Sequence, residues 1–233
     1  MSFKHGKDTI LDDVNLTVPP GGVVAFGGCS GQGKSALLEI CAGLLKPDSG
    51  MVLWDGADIS QWSKYLLYDK RKSLGYMFQV SALITNHSVF DNIALPLRCG
   101  SDLKEAQVKK KVTRMMEELE ISGIAKAFPE TLSAAQLKTA ALARALINDP
   151  KLLLLDEPLS GVDPVTANNI IDVLYKKWEK EGMSIVMASH SLSAWPQWQS
   201  GRFMLYDGCF AHAQESALET KVRKFKKPQE NNE

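Results

Sequence analysis

The chain has 233 residues, 45% apolar and 23% charged, ordinary proportions for a globular protein long enough to bury a sizeable core. Lys plus Arg and Asp plus Glu both total 27, so no basic excess invites nucleic acid. No apolar run reaches bilayer length, Lys4, His5, Lys7 and Asp8 break any leader-like stretch, and Cys29, Cys41, Cys99 and Cys209 form no C-x-x-C pair for zinc or a disulfide framework, so a reducing cytosol is the expected compartment.

Residues 10–18 alternate apolar and polar (Val14, Leu16, Val18) and predict a strand; Pro19, Pro20, Gly21 and Gly22 predict a turn. Residues 23–26 read as a short buried strand and 27–33 as a glycine-rich loop. A helix follows in which Leu37, Cys41 and Leu44 recur at helical spacing, and Pro47 to Gly50 end it. Residues 51–54 predict a strand and Asp55-Gly56 its turn. Asp102 and Glu105 resemble a capping box, opening a helix whose apolar face is Val108, Val112, Met115 and Leu119. A second helix is expected over 134–147, stopped by Asn148-Asp149-Pro150.

The apolar run 152–155 suits a central parallel strand covered on both faces. Asp163-Pro164 supply N-cap and N1 of another helix, with Ile170, Val173, Leu174 and Trp178 inward and Gly182 closing it. Residues 184–188 read as a further buried strand, and 203–210 around Asp207-Gly208 as a hairpin. The expected fold is α/β with a mainly parallel sheet. A core of 1–78 and 150–212 would hold a helical lobe at about 79–149, with 213–233 as a tail. The tail's Lys221, Arg223, Lys224, Lys226 and Lys227 read first as solvated or subunit-contacting, second as lipid-facing; Trp195 to Trp198 read as local packing ahead of docking.

Gly28-Cys29-Ser30-Gly31-Gln32-Gly33-Lys34-Ser35 fits G-x-x-x-x-G-K-[ST] between a strand and a helix. Glycines let successive N–H groups point at phosphate oxygens, and the helix adds its positive end. Lys34 reaches the β- and γ-phosphates, and the Ser35 hydroxyl suits Mg²⁺. Asp156 and Glu157 end a buried strand, where open α/β sheets bind ligands. There Asp156 would orient Mg²⁺ and Glu157 would polarise an attacking water. His190, beyond the strand at 184–188, would donate to the γ-phosphate and sense its loss.

In order along nearly the whole chain, the phosphate loop, Gln79, Leu132-Ser133-Ala134-Ala135-Gln136, Asp156-Glu157, Ser160-Gly161-Val162-Asp163 and His190 resemble the motifs of the ABC ATPase family. The resemblance implies a P-loop NTPase core of RecA type, with an N-terminal antiparallel β segment and an inserted α-helical subdomain. It implies ATP and Mg²⁺ as cofactors. Gly28 to Ala36 would hold nucleotide, with Asp163 of the D-loop nearby and His5, or alternatively Phe3, nearest the adenine-stacking position. Ser35, Gln79 and Asp156 would hold the metal; Glu157, Gln79 and His190 would serve hydrolysis. Two copies would pack head to tail, each bringing Ser133 and Ala135 to the other's nucleotide. An integral membrane permease would dock at 80–98, where Leu83, Ile84, Val89 and Phe90 read as an apolar surface.

The segments 67–72, 77–83, 89–98 and 156–164 are similar to ATPases of maintenance-of-lipid-asymmetry, MCE-associated phospholipid transport systems. That implies phospholipid cargo, an MCE-type lipid-binding partner and a peripheral place on the cytoplasmic face of the inner membrane. Lipoprotein-release and cell-division ABC ATPases share parts of the pattern. The chain departs from the family at Ala134-Ala135, where LSGGQ has glycines, at Thr139, where a basic residue is usual, and at Ala36, where a hydroxyl is usual. The first departure predicts slow hydrolysis and makes a regulatory ATP-binding subunit the rival reading.

Overall fold

A computed structural model describes residues 1–195 and 201–212. The basic run at 221–227 and the Pro196-Gln197-Trp198 stretch lie outside the described residues. Trp195 itself is buried, 2% exposed, as local packing requires.

The main sheet has six strands: β3 (Val23–Gly27), β6 (Leu74–Met77), β7 (Leu152–Asp156), β8 (Ser184–Ala188), β9 (Gly201–Tyr206) and β10 (Cys209–His212). Their order is β10-β9-β3-β8-β7-β6, parallel throughout except for the β9/β10 edge hairpin. Asp207 and Gly208 both have positive φ, which suits a two-residue hairpin turn. Two small antiparallel pairs stand apart from this sheet, β1 (Phe3–His5) with β2 (Asp8–Leu11) and β4 (Leu53–Trp54) with β5 (Ala57–Asp58).

Both faces of the sheet are covered, which is why residues 152–155 of β7 and 185–188 of β8 are apolar without interruption. Along β7, Leu153 and Leu155 enter one core cluster and Leu154 the other; along β8, Ile185 and Met187 oppose Val186 and Ala188. The second cluster is closed by α1 (Lys34–Cys41) through Leu37, Leu38 and Ile40. α2 (Lys64–Arg71) sends Arg71 to the carbonyls of Ala42 and Gly43, satisfying the end of α1. The first cluster is closed by α3 (Val89–Gly100), α4 (Glu105–Glu118), α5 (Ala134–Leu146) and α6 (Pro164–Glu181). Asp163 caps α6 by accepting from the N–H groups of Val165 and Thr166, and Gly182 ends it at φ 66.

Three expectations are corrected. The first strand stops at Leu11, because Asp13 turns the chain at φ 44; Val14 stays buried without joining a ladder. α4 starts at Glu105 with Lys104 as N-cap, whose N–H donates to the Gln107 side chain, so Asp102 caps nothing. The preceding Leu103 packs on the core and sets where the helix begins. The stretch from Val89 is not an apolar surface but α3, with Val89, Ile93, Ala94 and Leu97 buried. Of the four residues expected to face outward, Ile84 (36% exposed) does so, while Val89 is buried and Leu83 and Phe90 pack against the core; Val80, at the start of the same stretch, is 83% exposed.

Candidate functional site

Because β3, β6, β7 and β8 are parallel, the segments following them leave the sheet at one edge. These are 28–34 after β3, 78–80 after β6, 157–163 after β7 and 189–191 after β8. That edge therefore collects the phosphate loop, Gln79, Glu157 and His190, with Asp156 the last residue of β7.

The loop's shape depends on residues without side chains at two points. Gly33 is the N-cap of α1 at φ 84, and a Cβ there would stand 2.5 Å from Ile10 Cγ2. Gly28 has φ 154, and its Cβ would stand 2.6 Å from the Leu205 carbonyl. No side chain caps α1 and no acid lies in its first turn, so its leading N–H groups are free to meet an anion. The Gln32 side chain accepts from the Asp207 N–H at 2.8 Å and ties the loop to the β9/β10 turn, while Cys29, Ser30 and Gly31 are exposed.

Lys34 lies folded into the loop. It is 7% exposed, and its Nζ donates to the carbonyls of Gly28 (2.8 Å) and Cys29 (3.0 Å). The same Nζ is 3.8 Å from Glu157 Oε1. Glu157, 3% exposed, accepts the His190 N–H on Oε2 at 3.0 Å. Its Oε1 is 3.2 Å from His190 Nε2 but makes no well-aligned hydrogen bond. His190 Nδ1 lies 3.2 Å from the Gly28 carbonyl. Phosphate loop, acid and histidine thus form one contact group.

Asp156 is 2% exposed with Oδ1 unpartnered. Burial raises its carboxyl above the usual range, against the Ser35 hydrogen bond and the charges of Lys138, Lys34 and His190. A buried carboxylate oxygen without a donor, beside a serine hydroxyl, is a donor set of hard oxygens, and such a set suits Mg²⁺ completed by waters and phosphate.

No hydrogen bond or ion pair among the described residues joins His5, Ser133 or Ala135 to the phosphate loop. Phe3 packs partly against the core, which leaves His5 the exposed candidate on β1. Ser133 is the N-cap of α5; its hydroxyl accepts from the Gln136 N–H (3.2 Å) and its own N–H donates to the Gln136 side chain (3.0 Å). Ala134 and Ala135 are therefore the first two helical residues, and glycine is not required for their backbone. Asp163 is occupied by capping α6. Thr139 is buried and donates to the Ala135 carbonyl within its own helix. A cleft of about 320 Å³ lies beside this region, between α5 (Ala135, Gln136, Thr139) and the start of α6 (Val165, Thr166), away from the phosphate loop.

Two basic residues of α5 escaped the sequence reading. Lys138, 8% exposed, donates to the carbonyls of Gln79 (2.8 Å) and Glu157 (2.9 Å). Arg144 donates to the carbonyls of Ala82 (2.7 Å) and Ser81 (3.1 Å). Burial lowers the pKa of both. The available signal was two cations within an otherwise Ala- and Leu-rich buried helix.

Residues 11–160 match the family described as ABC transporter. The intermembrane phospholipid transport system ATP-binding protein MlaF of Haemophilus influenzae is 38% identical over 192 residues, 82% of this chain and 73% of that protein. The methionine import ATP-binding protein MetN of Haemophilus ducreyi is 38% identical over 190 residues, 81% of this chain and 55% of that protein. Among solved structures, the dimeric post-hydrolysis state of the ATP-binding cassette MJ0796 bound to ADP and Pi superposes with a TM-score of 0.85. It is 28% identical, and the match covers 91% of this chain and 94% of that one.

Proposed function

The chain belongs to the ABC transporter family, as an ATP-binding and ATP-hydrolysing subunit, and from that premise we propose that it powers phospholipid movement across or between membranes. One observation carries the assignment of the site: Glu157, Lys34 and His190 meet at a single sheet edge, with Glu157 Oε1 3.2 Å from His190 Nε2 and 3.8 Å from Lys34 Nζ.

In this reading ATP phosphates take over Lys34 from the two loop carbonyls and lie against the N–H groups of the loop and the start of α1. Ser35, Asp156 and Gln79 would hold Mg²⁺, which would supply charge neutralisation to the phosphates. Glu157, fixed through its backbone and through Oε2, orients a water and takes up its proton as the water adds to the γ-phosphorus, while the bond from that phosphorus to the bridging oxygen breaks and ADP leaves with its electron pair. His190 donates to the γ-phosphate and registers its departure. Phosphoryl transfer needs little more of a protein than position and charge.

The remaining parts follow the same premise. The core spans 1–78 and 150–212 and the helical lobe 79–149. Two chains pair head to tail, so that Ser133 and Ala135 of one complete the nucleotide site of the other, and Asp163 lies at the junction. A shared two-fold makes both sites alike. His5 covers the adenine. A membrane permease docks near Val80 and Ile84, an MCE-type protein carries the lipid, and the chain works on the cytoplasmic face. Support for phospholipid over other cargo is the likeness to MlaF over 73% of its length, against 55% of MetN.

The cargo is tested with the chain and its co-purifying membrane partner in vesicles carrying a fluorescent phospholipid. ATP-dependent transfer is the expected result. Absence of transfer, with phospholipid also failing to alter the ATPase rate, rejects phospholipid as cargo and leaves the ATPase assignment standing.

The Ala134-Ala135 pair favours a second reading, an ATP-binding subunit of weak hydrolysis. At N1 and N2 these alanines favour the helix over glycine by up to ~1 kcal/mol each. Cβ atoms tilt toward a helix's N-terminus, the side from which the partner's nucleotide approaches. The double change Ala134→Gly, Ala135→Gly is expected to raise turnover of the assembled complex while lowering Tm by a few degrees. Unchanged turnover removes the alanines as the brake.

A further inference from the structure

We propose that Lys138 is a positioning residue for hydrolysis: its ammonium joins the carbonyl of Glu157 to the carbonyl of Gln79, so that α5 sets the backbone of both loops through one side chain. The proposal rests on the reading of Glu157 as the group that activates water.

The geometry is specific. Nζ lies 2.8 Å from Gln79 O and 2.9 Å from Glu157 O, and the residue is 8% exposed. Burying a lone ammonium is costly, and replacing such groups by apolar residues often leaves a fold as stable or more so. The neighbouring positions on α5, Ala140, Ala141 and Leu142, are fully apolar and buried, so the fold has no shortage of packing there. What Lys138 supplies that an apolar side chain lacks is a pair of hydrogen bonds to two backbones at once.

Those backbones need holding. Glu157 has φ 49, the left-handed region that non-glycine residues seldom occupy. Its N–H donates to Ala188 O at 2.9 Å, and its carbonyl accepts both Lys138 Nζ and the Ser160 N–H at 3.3 Å. These bonds fix the peptide planes on either side of Glu157 and hence the direction of its side chain toward His190. On the other loop, Ala82 also has positive φ, 48, and Arg144 holds the carbonyls of Ser81 and Ala82. Two basic side chains of one helix therefore clamp 79–82, and Lys138 alone among them extends to Glu157.

The same helix begins at Ser133, the residue assigned above to the partner's nucleotide. Lys138 lies five positions beyond Ser133, about 7.5 Å along the axis. A shift of α5 on pairing with a nucleotide-loaded partner is passed by a rigid turn and a half of helix to the carbonyl of Glu157. The water-activating carboxylate would then be aligned only when the opposite chain is in place.

The test uses the full chain with its membrane partner, as wild type, Lys138→Met and Lys138→Arg. Methionine keeps length and burial but donates nothing; the arginine fork reaches two acceptors. Expected for Lys138→Met is a fall in kcat of about ten-fold or more, with nucleotide Kd within about three-fold of wild type, because the phosphate contacts are untouched. Hydrogen exchange should quicken at both 78–82 and 157–160, and Lys138→Arg should restore most of kcat. A kcat within two-fold of wild type overturns the proposal. So does quickened exchange spread across α5 and β7, which marks lost packing. Should Lys138→Met fail to fold, Lys138→Gln, which keeps one donor group, carries the same comparison. Absence of hydrolysis in the wild type sinks the assignment of Glu157 instead; the exchange difference at the two loops needs no turnover and still judges Lys138.

Discussion

Replacing Glu157 by Gln is expected to stop steady-state hydrolysis, by about 10²- to 10⁴-fold, while ATP stays bound. The amide keeps the shape of the carboxyl. Its oxygen still accepts the His190 N–H now bound by Oε2 at 3.0 Å, and the backbone bonds to Ala188 and Lys138 do not involve the side chain. Stability should therefore change little. The charge is what disappears, and with it the acceptor for the proton of water. Removal of an anion that stands 3.8 Å from Lys34 also removes repulsion toward incoming phosphate, so the Kd for ATP should hold steady or fall. With nucleotide no longer consumed, ligand linkage favours whatever pair of chains it bridges, and the variant should accumulate as an ATP-bound dimer. Hydrolysis retained within ten-fold of wild type would remove Glu157 from the chemistry. Loss of ATP binding along with hydrolysis would place its role in the fold of the loop.

The motifs were legible because each depends on local chain chemistry. A strand ending in Gly27, a loop needing positive φ at Gly28, Gly31 and Gly33, and a helix opening on Lys34 are written consecutively, and the structure keeps that order. The parallel sheet was legible for a similar reason, since Leu152 to Leu155 could be apolar throughout only with helices on both sides. What escaped notice depends on contacts distant in sequence. Lys138 meets Gln79 across 59 residues, and its partners are carbonyl oxygens, which carry no residue identity. A cation in a helix reads by default as part of a solvated face, and only the burial of Thr139 to Ala143 around it shows otherwise. α3 was mistaken for a surface because Pro96 interrupts its pattern and because its apolar face packs on α4 and α5, a surface that exists only after folding. Asp102 has the composition of a cap, but Leu103 is drawn to the core first and the helix opens beyond it.

The same contact group predicts a different failure for Lys34→Met, one of binding. Nζ donates to the carbonyls of Gly28 and Cys29 and stands beside Glu157, so it ties the loop's two ends together. A hydrogen bond to a charged group contributes about 1.5–3 kcal/mol. Loss of one such contact to the phosphates weakens ATP by roughly 10- to 150-fold. Two further costs fall on the free protein. The two carbonyls lose their donor, and Glu157 Oε1 loses the ammonium that stands 3.8 Å from it, so Tm should drop as well. Arginine is not expected to rescue. Besides the two carbonyls, Lys34 Nζ has Glu157 Oε1 at 3.8 Å and His190 Nδ1 at 3.5 Å around it, and a planar guanidinium does not fit among four groups gathered about one compact ammonium. Titration with a fluorescent nucleotide separates the two variants: Glu157→Gln binds without turning over, Lys34→Met scarcely binds. A Lys34→Met chain whose nucleotide Kd stays within three-fold of wild type would mean that backbone N–H groups and the α1 terminus carry the phosphates alone, and that the lysine serves only to neutralise Glu157.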